Sequence, residues 1–349
     1  DPGAMVAAAK RGHLPVAEVL TGDPDPPLLH AAAAGHALVA ESLLARRARP
    51  EGQDGERTPL HQAAGHGHAA LVRLLLEARA EPRGKDGDGA CAGHDAAAKG
   101  HIAAVRELLE AAAEGAWDID TADADGARPL HWAAQRGHSE IVSDLVSAGA
   151  AIEGNGSEPL HWAAGAGHAA VVQQLLRLRA DPDASGKAPG ALAAGVDGGP
   201  ASFPPVALMR RGRAWERERF AGYLTRRTRG TSSTVRAVAA NATGGTPLHC
   251  AARAGHVEAA LALVHGGAEV GKPDSGGAQP LHWAAANGHA SLVRYLLDCG
   301  AEPEAADVAG GRPLHDAAWG TQAEASAALL ARRADADAAD LGGRTALHA

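Results

Sequence analysis

Apolar and polar positions along this chain follow the period of short amphipathic helices. In residues 139–148 the apolar side chains fall at i, i+1, i+4 and i+5, which places them on one face of a helix. These side chains are Ile141, Val142, Leu145 and Val146. A shorter Ala-rich run precedes them and stops at Gly137, a residue that tolerates the left-handed backbone at a helix end. The pattern predicts two short helices joined by a tight turn.

This pair of helices recurs along the chain. Its start is the frame 128–138, Arg-Pro-Leu-His-Trp-Ala-Ala-Gln-Arg-Gly-His. The frame returns at 58–68, 158–168, 246–256 and 279–289, its first half at 312–318, and looser copies at 3–13, 26–36 and 91–101. We call the fourth residue of each frame the anchor. The anchors are Val6, Leu29, His61, His94, His131, His161, His249, His282, His315 and His348. Most of them are about 33 residues apart, so the chain is an internal repeat whose units stack on their neighbours.

Each unit carries its own start and stop signals. Thr58-Pro59 and Thr246-Pro247 place a hydroxyl at the N-cap and a proline at the first helical position. In six connectors a glycine stands two residues before the frame, which suits a turn with positive φ: Gly89, Gly126, Gly156, Gly244, Gly277 and Gly310. Other residues replace the capping threonine at Arg128, Glu158, Gln279 and Arg312. We expect each loss to cost about 1 kcal/mol.

The frame resembles the ankyrin repeat, whose signature Thr-Pro-Leu-His-x-Ala-Ala-x-x-Gly-His is nearly spelled out by residues 246–256. Eight or nine such units cover most of the chain. The resemblance implies an all-α solenoid of stacked helix-turn-helix units, with β-turn fingers projecting to one side. It also implies that the recurring histidines bond to turn backbone, and that partner proteins bind the fingers and the exposed face of the first helices.

The composition divides the chain into three segments. Residues 1–199 are predicted to be repeats, the last of them a degenerate unit without its histidine near 188–194. Residues 200–243 are an atypical insert, with nine arginines against two glutamates in 200–240. Residues 244–349 resume the repeats and end one residue after an anchor, which suggests truncation. We expect the degenerate unit to interrupt the stack, so that the repeats after Gly244 unfold separately.

Composition restricts the classes of function. A formal net charge of −8 makes nucleic-acid binding by the whole surface unlikely. Three cysteines without paired spacing fit a reducing compartment and no zinc site, and there is no apolar run long enough for a membrane span. We therefore expect a cytoplasmic protein, or a nuclear one, without membrane insertion, and monomeric apart from its exposed ends.

The nineteen histidines suggest metal or acid–base chemistry, but sixteen of them occupy only two positions of the frame. Such recurrence indicates a structural role, with a metal at His66 and His68 as the weaker alternative. No phosphate-binding loop or nucleophile elbow is present, and the acids Asp118, Asp120, Asp123 and Asp125 are expected in a solvated connector. The sequence thus predicts no catalytic residue, no cofactor, no metal and no small-molecule substrate.

Tryptophan follows the anchor in three repeats, as Trp132, Trp162 and Trp283. Its recurrence favours packing between units over an exposed binding stripe. Trp319 stands at a different position, four residues after its anchor, and both packing and partner contact stay open for it.

The function that follows is a non-catalytic scaffold for protein–protein interaction. By the resemblance, the partner-binding candidates are the residues that vary from unit to unit at the fingers and on the first helices: Asp88, Lys99, Asp125, Ala127, Gln135, Arg136, Arg253, Asn287 and Trp319. The identity of the partner is not written in the sequence.

Two other functions stay open. The arginines of 200–240 alternate with Trp215, Phe220 and Tyr223, a composition that binds nucleic acid or an acidic partner, although a solvated loop or a gene-model error explains the segment as well. Alternatively, the array is the targeting or substrate-recognition arm of a larger enzyme, kinase-like or ubiquitin-ligase-like, with its catalytic domain outside these residues.

Overall fold

The computed structural model describes residues 2–13, 25–51, 57–153, 158–186 and 245–348. Within these ranges it contains seventeen α-helices, one short 3-10 helix at Ala346–His348, and no strand. The α-helices are α1 Pro2–Arg11, α2 Asp25–Ala34, α3 Ala37–Ala45, α4 Pro59–Gly65, α5 Ala69–Glu77, α6 Ala92–Lys99, α7 Ile102–Ala113, α8 Pro129–Arg136, α9 Ser139–Ser147, α10 Pro159–Ala166, α11 Ala169–Arg177, α12 Pro247–Ala254, α13 Val257–His265, α14 Pro280–Ala286, α15 Ala290–Asp298, α16 Pro313–Trp319 and α17 Ala323–Ala331.

The helices form two compact units, residues 1–152 and 153–349. In each unit, first helices pack on first helices and second helices pack on second helices. The first helices make the rows α1-α2-α4-α6-α8 and α10-α12-α14-α16, and the second helices make the rows α3-α5-α7-α9 and α11-α13-α15-α17. The predicted all-α solenoid is confirmed within each unit.

Small side chains on the first helices keep these layers thin. In six frames the alanine pair two residues after the anchor has no exposed surface: Ala63-Ala64, Ala96-Ala97, Ala133-Ala134, Ala163-Ala164, Ala251-Ala252 and Ala284-Ala285. The second helices supply the larger core residues, such as Ile141, Val142 and Leu145, which are fully buried. Burying one such side chain contributes about 1.5–3 kcal/mol, so the regular repeats stabilise one another through the facing rows.

One repeat has a different core. In the described frames with a histidine anchor, leucine precedes the anchor except in the His94 repeat, where Gly93 takes its place. This leucine is buried in every such frame but the last, where Leu347 is exposed. Gly93 leaves room for the indole of Trp117, which is buried, and a Cβ added to Gly93 would overlap Trp117 Cζ2. The longer connector around Trp117 therefore supplies the bulk that leucine supplies elsewhere.

The stack continues directly across the long insertion. Helix α10 packs on α12 and α11 packs on α13, and His161 Nε2 lies 3.0 Å from Gly245 O, 84 residues along the chain. The equivalent bond from His249 to Ala278 O, also 3.0 Å, spans 29 residues. The expectation that a degenerate repeat interrupts the stack here is wrong, because the two helix pairs contact each other.

The insertion begins and ends at one finger. Gly186 N donates to Gly245 O at 3.2 Å, and the bond from Asp274 N to Ala278 O, 2.9 Å, closes the next finger in the same way. Gly186 and Gly245 thus take the positions of the bonded pair that encloses a three-residue tip in other repeats. The predicted degenerate unit near 188–199 and the arginine-rich insert 200–243 lie outside the described residues.

No helix in the described part of the chain is both long and apolar enough to span a membrane.

Candidate functional site

The anchor histidines join each repeat to the next one. In seven frames the Nδ1 of the anchor accepts the backbone N–H of the first frame residue, and in six the Nε2 reaches a carbonyl at the base of the next finger. A ring whose Nδ1 accepts carries its proton on Nε2, so Nε2 is the donor. The first bond, 3.0–3.3 Å, comes from Thr58, Cys91, Arg128, Thr246, Gln279, Arg312 and Thr345. The second bond, 2.9–3.3 Å, goes to Ala90, Ala127, Gly245, Ala278, Gly311 and Arg344. The structural role that the resemblance implied for these histidines is confirmed.

These bonds also correct the expected cost of the missing threonines. At Arg128, Gln279 and Arg312 the backbone N–H still reaches the anchor histidine, as it does at Thr58 and Thr246, whose hydroxyls contact the histidine ring at 2.8 and 2.9 Å. The histidine, present in all of these frames, satisfies the helix start. Losing the hydroxyl therefore removes less stability than a full N-cap.

An aspartate that sequence reasoning overlooked builds five of the fingers. It stands eight residues before the anchor, and its Oδ1 accepts the N–H groups two and four residues later at 2.7–3.0 Å. The residues are Asp86, Asp123, Asp274, Asp307 and Asp340. Their constant distance of eight residues from the anchor is the feature of the sequence that could have revealed this role. The expectation of a solvated acidic connector is wrong for Asp123, which closes its finger, and for Asp120, which accepts Ala151 N at 3.1 Å.

The histidine of each Gly-His pair clamps the glycine of the preceding repeat. Its ring lies so close that a Cβ on that glycine would overlap it, in the pairs Gly12–His36, Gly35–His68, Gly67–His101, Gly100–His138, Gly167–His256 and Gly255–His289. Its Nε2 also reaches a carbonyl of that preceding repeat, for example Arg253 O from His289 at 3.0 Å. Glycine at this position therefore serves both a positive φ and the approach of the neighbouring ring.

Burial keeps several of these histidines neutral at pH 7. His161 has no exposed surface, and burial lowers its pKa to about 4. Burial also lowers the pKa of His249 and that of His256. A neutral imidazole has one nitrogen that accepts a hydrogen bond and one that donates, which suits a side chain that links two repeats. Protonation during acid–base chemistry would break the accepting bond, so these histidines are poorly suited to catalysis.

The structure places most of the predicted partner-binding residues at the surface. Asp88 and Asp125 are exposed at finger tips, and Lys99, Arg136 and Asn287 are exposed at or beside the ends of first helices. Two further candidates are half-buried: Arg253 and Trp319.

Two of the predicted residues do not belong to the open surface. Ala127 is only 3% exposed because it lies at the base of a finger, where its N–H donates to Asp123 and its carbonyl accepts from His94. Gln135 is 8% exposed, and its Oε1 is enclosed with no hydrogen-bond donor among the described residues. Variation between repeats at these two positions therefore reflects packing.

The tryptophans have structural partners. Trp132 and Trp283 are half-buried, and their Nε1 atoms donate to Asp123 at 3.0 Å and Asp274 at 3.1 Å. They thus brace the finger of their own repeat, and Trp162, the third tryptophan at this position, is buried. Trp319 lies 5.6 Å from the Arg344 guanidinium, a cation–π distance that ties it to the following finger while leaving part of the ring exposed.

Among the described residues, two clusters have the spacing of metal ligands: His61 with Asp86 and Asp95, and His282 with Asp307 and Asp316. In the first, the Arg57 guanidinium already bridges the two carboxylates. In the second, His282 Nδ1 accepts Gln279 N at 3.0 Å and Nε2 is 3.3 Å from Gly311 O. In both clusters the two ring nitrogens of the histidine are therefore already bonded to backbone groups, and in the first the arginine also pairs with both carboxylates.

Comparison with known proteins agrees with this geometry. The family described as ankyrin repeats in three copies matches residues 4–86, 28–117, 93–186, 228–307 and 281–349. The crystal structure of the human ASB11 ankyrin repeat domain is similar, with a TM-score of 0.55 and 24% identity over 79% of this chain and 99% of that one. No curated protein matches the chain.

Ankyrin repeats are generally protein–protein interaction modules, and the fold is typically non-catalytic. Matches over more than half of the chain, together with the anchor histidines, the fingers and the stacked helix pairs, show that it belongs to the ankyrin repeat family.

Proposed function

We propose that this chain is a non-catalytic scaffold that holds partner proteins against its finger tips and the exposed ends of its first helices. The observation that carries the proposal is that each repeat contains two kinds of position, one bonded within the stack and one exposed and variable. The anchor histidine, the finger aspartate and the Gly-His pair are bonded to other parts of the stack, while exposed positions such as Asp88, Lys99, Asp125 and Arg136 change from repeat to repeat.

Rigidity supports the same proposal. Neighbouring fingers are joined by backbone bonds, Asp88 O to Ala124 N at 3.0 Å and Ala309 O to Leu341 N at 3.1 Å. Their tips are thus held in order before a partner arrives, which lowers the entropy lost on binding. We also propose a cytoplasmic location for this scaffold, because its three cysteines are free thiols.

A pull-down with the full chain, followed by mass spectrometry, identifies the partners. Three sets of variants then test the surface: Lys99→Glu with Arg136→Glu in the first unit, Asn287→Glu with Trp319→Ala in the second, and Gln173→Glu with Arg294→Glu as controls exposed on second helices. We expect at least one of the first two sets to release a partner that the control set retains.

Release by the control set alone would contradict the proposal, provided that circular dichroism shows all three variants folded. Retention of every partner by the first two sets would contradict it as well. Binding through the arginine-rich segment 200–240 stays a prediction, since that segment lies outside the described residues.

A further inference from the structure

Four exposed charges form a regular pattern in the first unit. Two neighbouring repeats each carry an acidic finger tip and a basic residue on the end of the first helix: Asp88 with Lys99, and Asp125 with Arg136. The acid stands six residues before its anchor and the base five residues after it in both repeats. Because α6 packs on α8, the two bases are neighbours, and the bond from Ala124 N to Asp88 O joins the two tips.

These charges are not used to hold the stack together. Exposed arginines on the second helices do pair across repeats, as Arg73 pairs with Glu107, and Arg106 with Glu140 and Asp144. In the described part of the chain, the side chains of Lys99 and Arg136 make no ion pair, nor do those of Asp88 and Asp125. The unit therefore presents two cations and two anions that structural pairing leaves available.

The same positions in the second unit are neutral. The counterparts are Gly276 with Asn287 and Ala309 with Gly320. The scaffold bonds are present there too, from His282 to Gly311 and from His315 to Arg344, so the fold does not require charge at these positions.

On the basis of the function proposed above, we infer that the first unit binds a protein segment carrying both charges, with acidic side chains against Lys99 and Arg136 and basic side chains against Asp88 and Asp125. A nucleic acid satisfies only half of this pattern, because its phosphates would be repelled by the two finger-tip carboxylates. A polypeptide supplies both signs within one segment, and complementary charges of this kind fix register and speed association.

Displayed random peptides selected against the full chain test the inference, since they need no known partner. We expect the selected peptides to combine acidic with basic residues and to bind less tightly as salt rises. Lys99→Glu with Arg136→Glu should weaken a selected peptide about tenfold at low salt, and Asp88→Lys with Asp125→Lys about as much, because each reversal removes two attractive pairs and adds repulsion. The control pair Gln173→Glu with Arg294→Glu, exposed on second helices, should change binding by less than about twofold.

A rescue makes the test specific. Reversing all four charges of the chain should weaken the original peptide and restore tight binding of a peptide in which acids and bases are exchanged. A structural effect of the substitutions would not produce this exchange, and circular dichroism confirms that each variant folds.

The remaining outcomes separate the inference from the function on which it rests. Selected peptides that ignore both first-unit pairs but are lost on Trp319→Ala would overturn the inference and leave the scaffold function standing. A DNA oligonucleotide that binds as tightly as the peptides, through Lys99 and Arg136, would also overturn it. The absence of any selected peptide would contradict the scaffold function itself.

Discussion

The two units share one hydrogen-bonding scheme but expose different side chains. Anchor histidines, finger aspartates and Gly-His clamps recur in both, but the finger tips carry Asp88 and Asp125 in the first unit, where the second has the neutral Gly276 and Ala309. One position earlier, the tips of the second unit expose Val308 and Leu341. Val308 is 71% exposed and Leu341 81%, and they lie on adjacent fingers. The comparison teaches that the scaffold leaves finger-tip chemistry unconstrained, so that one fold presents a charged surface in one unit and an apolar one in the other.

The largest expected effect is at Gly93 and Trp117, where the core of the first unit differs from that of the other repeats. Gly93→Leu restores the common leucine but overlaps Trp117, and we expect a loss of about 3 kcal/mol in the free energy of unfolding. Trp117→Ala leaves a cavity and should cost about 3–5 kcal/mol. Urea unfolding of the double variant should show a smaller loss than the two single losses added, because leucine fills the cavity. Additive losses would show that the two residues do not share one space.

The next effect tests the clamp in the second unit. Gly255 has φ +80° and a Cβ there would overlap His289, whereas Gly267 has φ +98° with open space around it among the described residues. Gly255→Ala should therefore cost about 2–4 kcal/mol, from strain plus displacement of the ring, and Gly267→Ala about 1 kcal/mol from strain alone. Equal losses in urea unfolding would mean that the ring moves away freely and that the clamp contributes little.

Acidic pH should destabilise the second unit more than the first, because the second unit contains buried histidines with lowered pKa values. The pKa of His161 is lowered to about 4 in the folded chain, against about 6.5 when unfolded, so its contribution to stability is present above pH 6.5 and is lost as the pH falls toward 4. At pH 5 the loss is about 2 kcal/mol. His249 and His256, lowered in the same direction, add to it.

Hydrogen exchange corrected for intrinsic rates measures this loss in each unit. Protection of α10–α13 should fall between pH 7 and pH 5 by more than that of α4–α7, and His161→Gln should reduce the difference. If both units lost protection equally, the buried histidines of the second unit would not be responsible.

The smallest effect concerns a strain that both units share. Arg79 in the first unit and Arg179 in the second end their second helices with φ +65° and +68°, where other repeats use glycines such as Gly149 and Gly267. Replacing either arginine by glycine should raise the free energy of unfolding by about 0.5–1 kcal/mol, since glycine adopts this conformation without steric cost. A decrease in thermal stability would instead indicate that the arginine stabilises the helix end through its charge.

The recurrence of the frame made the fold predictable, because a residue type repeated at one position in every unit signals a shared bond. That logic worked for the anchor histidines and failed where packing departs from the rhythm. Gln135 varies between repeats yet is buried, and Trp117 fills a space that only Gly93 opens. Neither follows from one repeat considered alone.

The long insertion shows a second limit of prediction from sequence. A run of alanines near 188–194 preserves the spacing of an anchor, and spacing alone favours another repeat there. The structure joins Gly186 to Gly245 within one finger, because α10 and α11 find matching faces on α12 and α13. A pairing so distant in sequence is decided by the packing of whole helices, which local pattern does not report.

Hydrogen exchange of the full chain, with and without a partner recovered by the pull-down, tests the central claim most directly. If partners are held by the fingers and the ends of the first helices, added protection will fall on finger tips such as 86–90 and 123–127, or 274–278 and 307–311, and on the first helices that follow them. The second helices, α5, α7, α13 and α15 among them, will stay unchanged. Protection confined to the second helices would contradict the account.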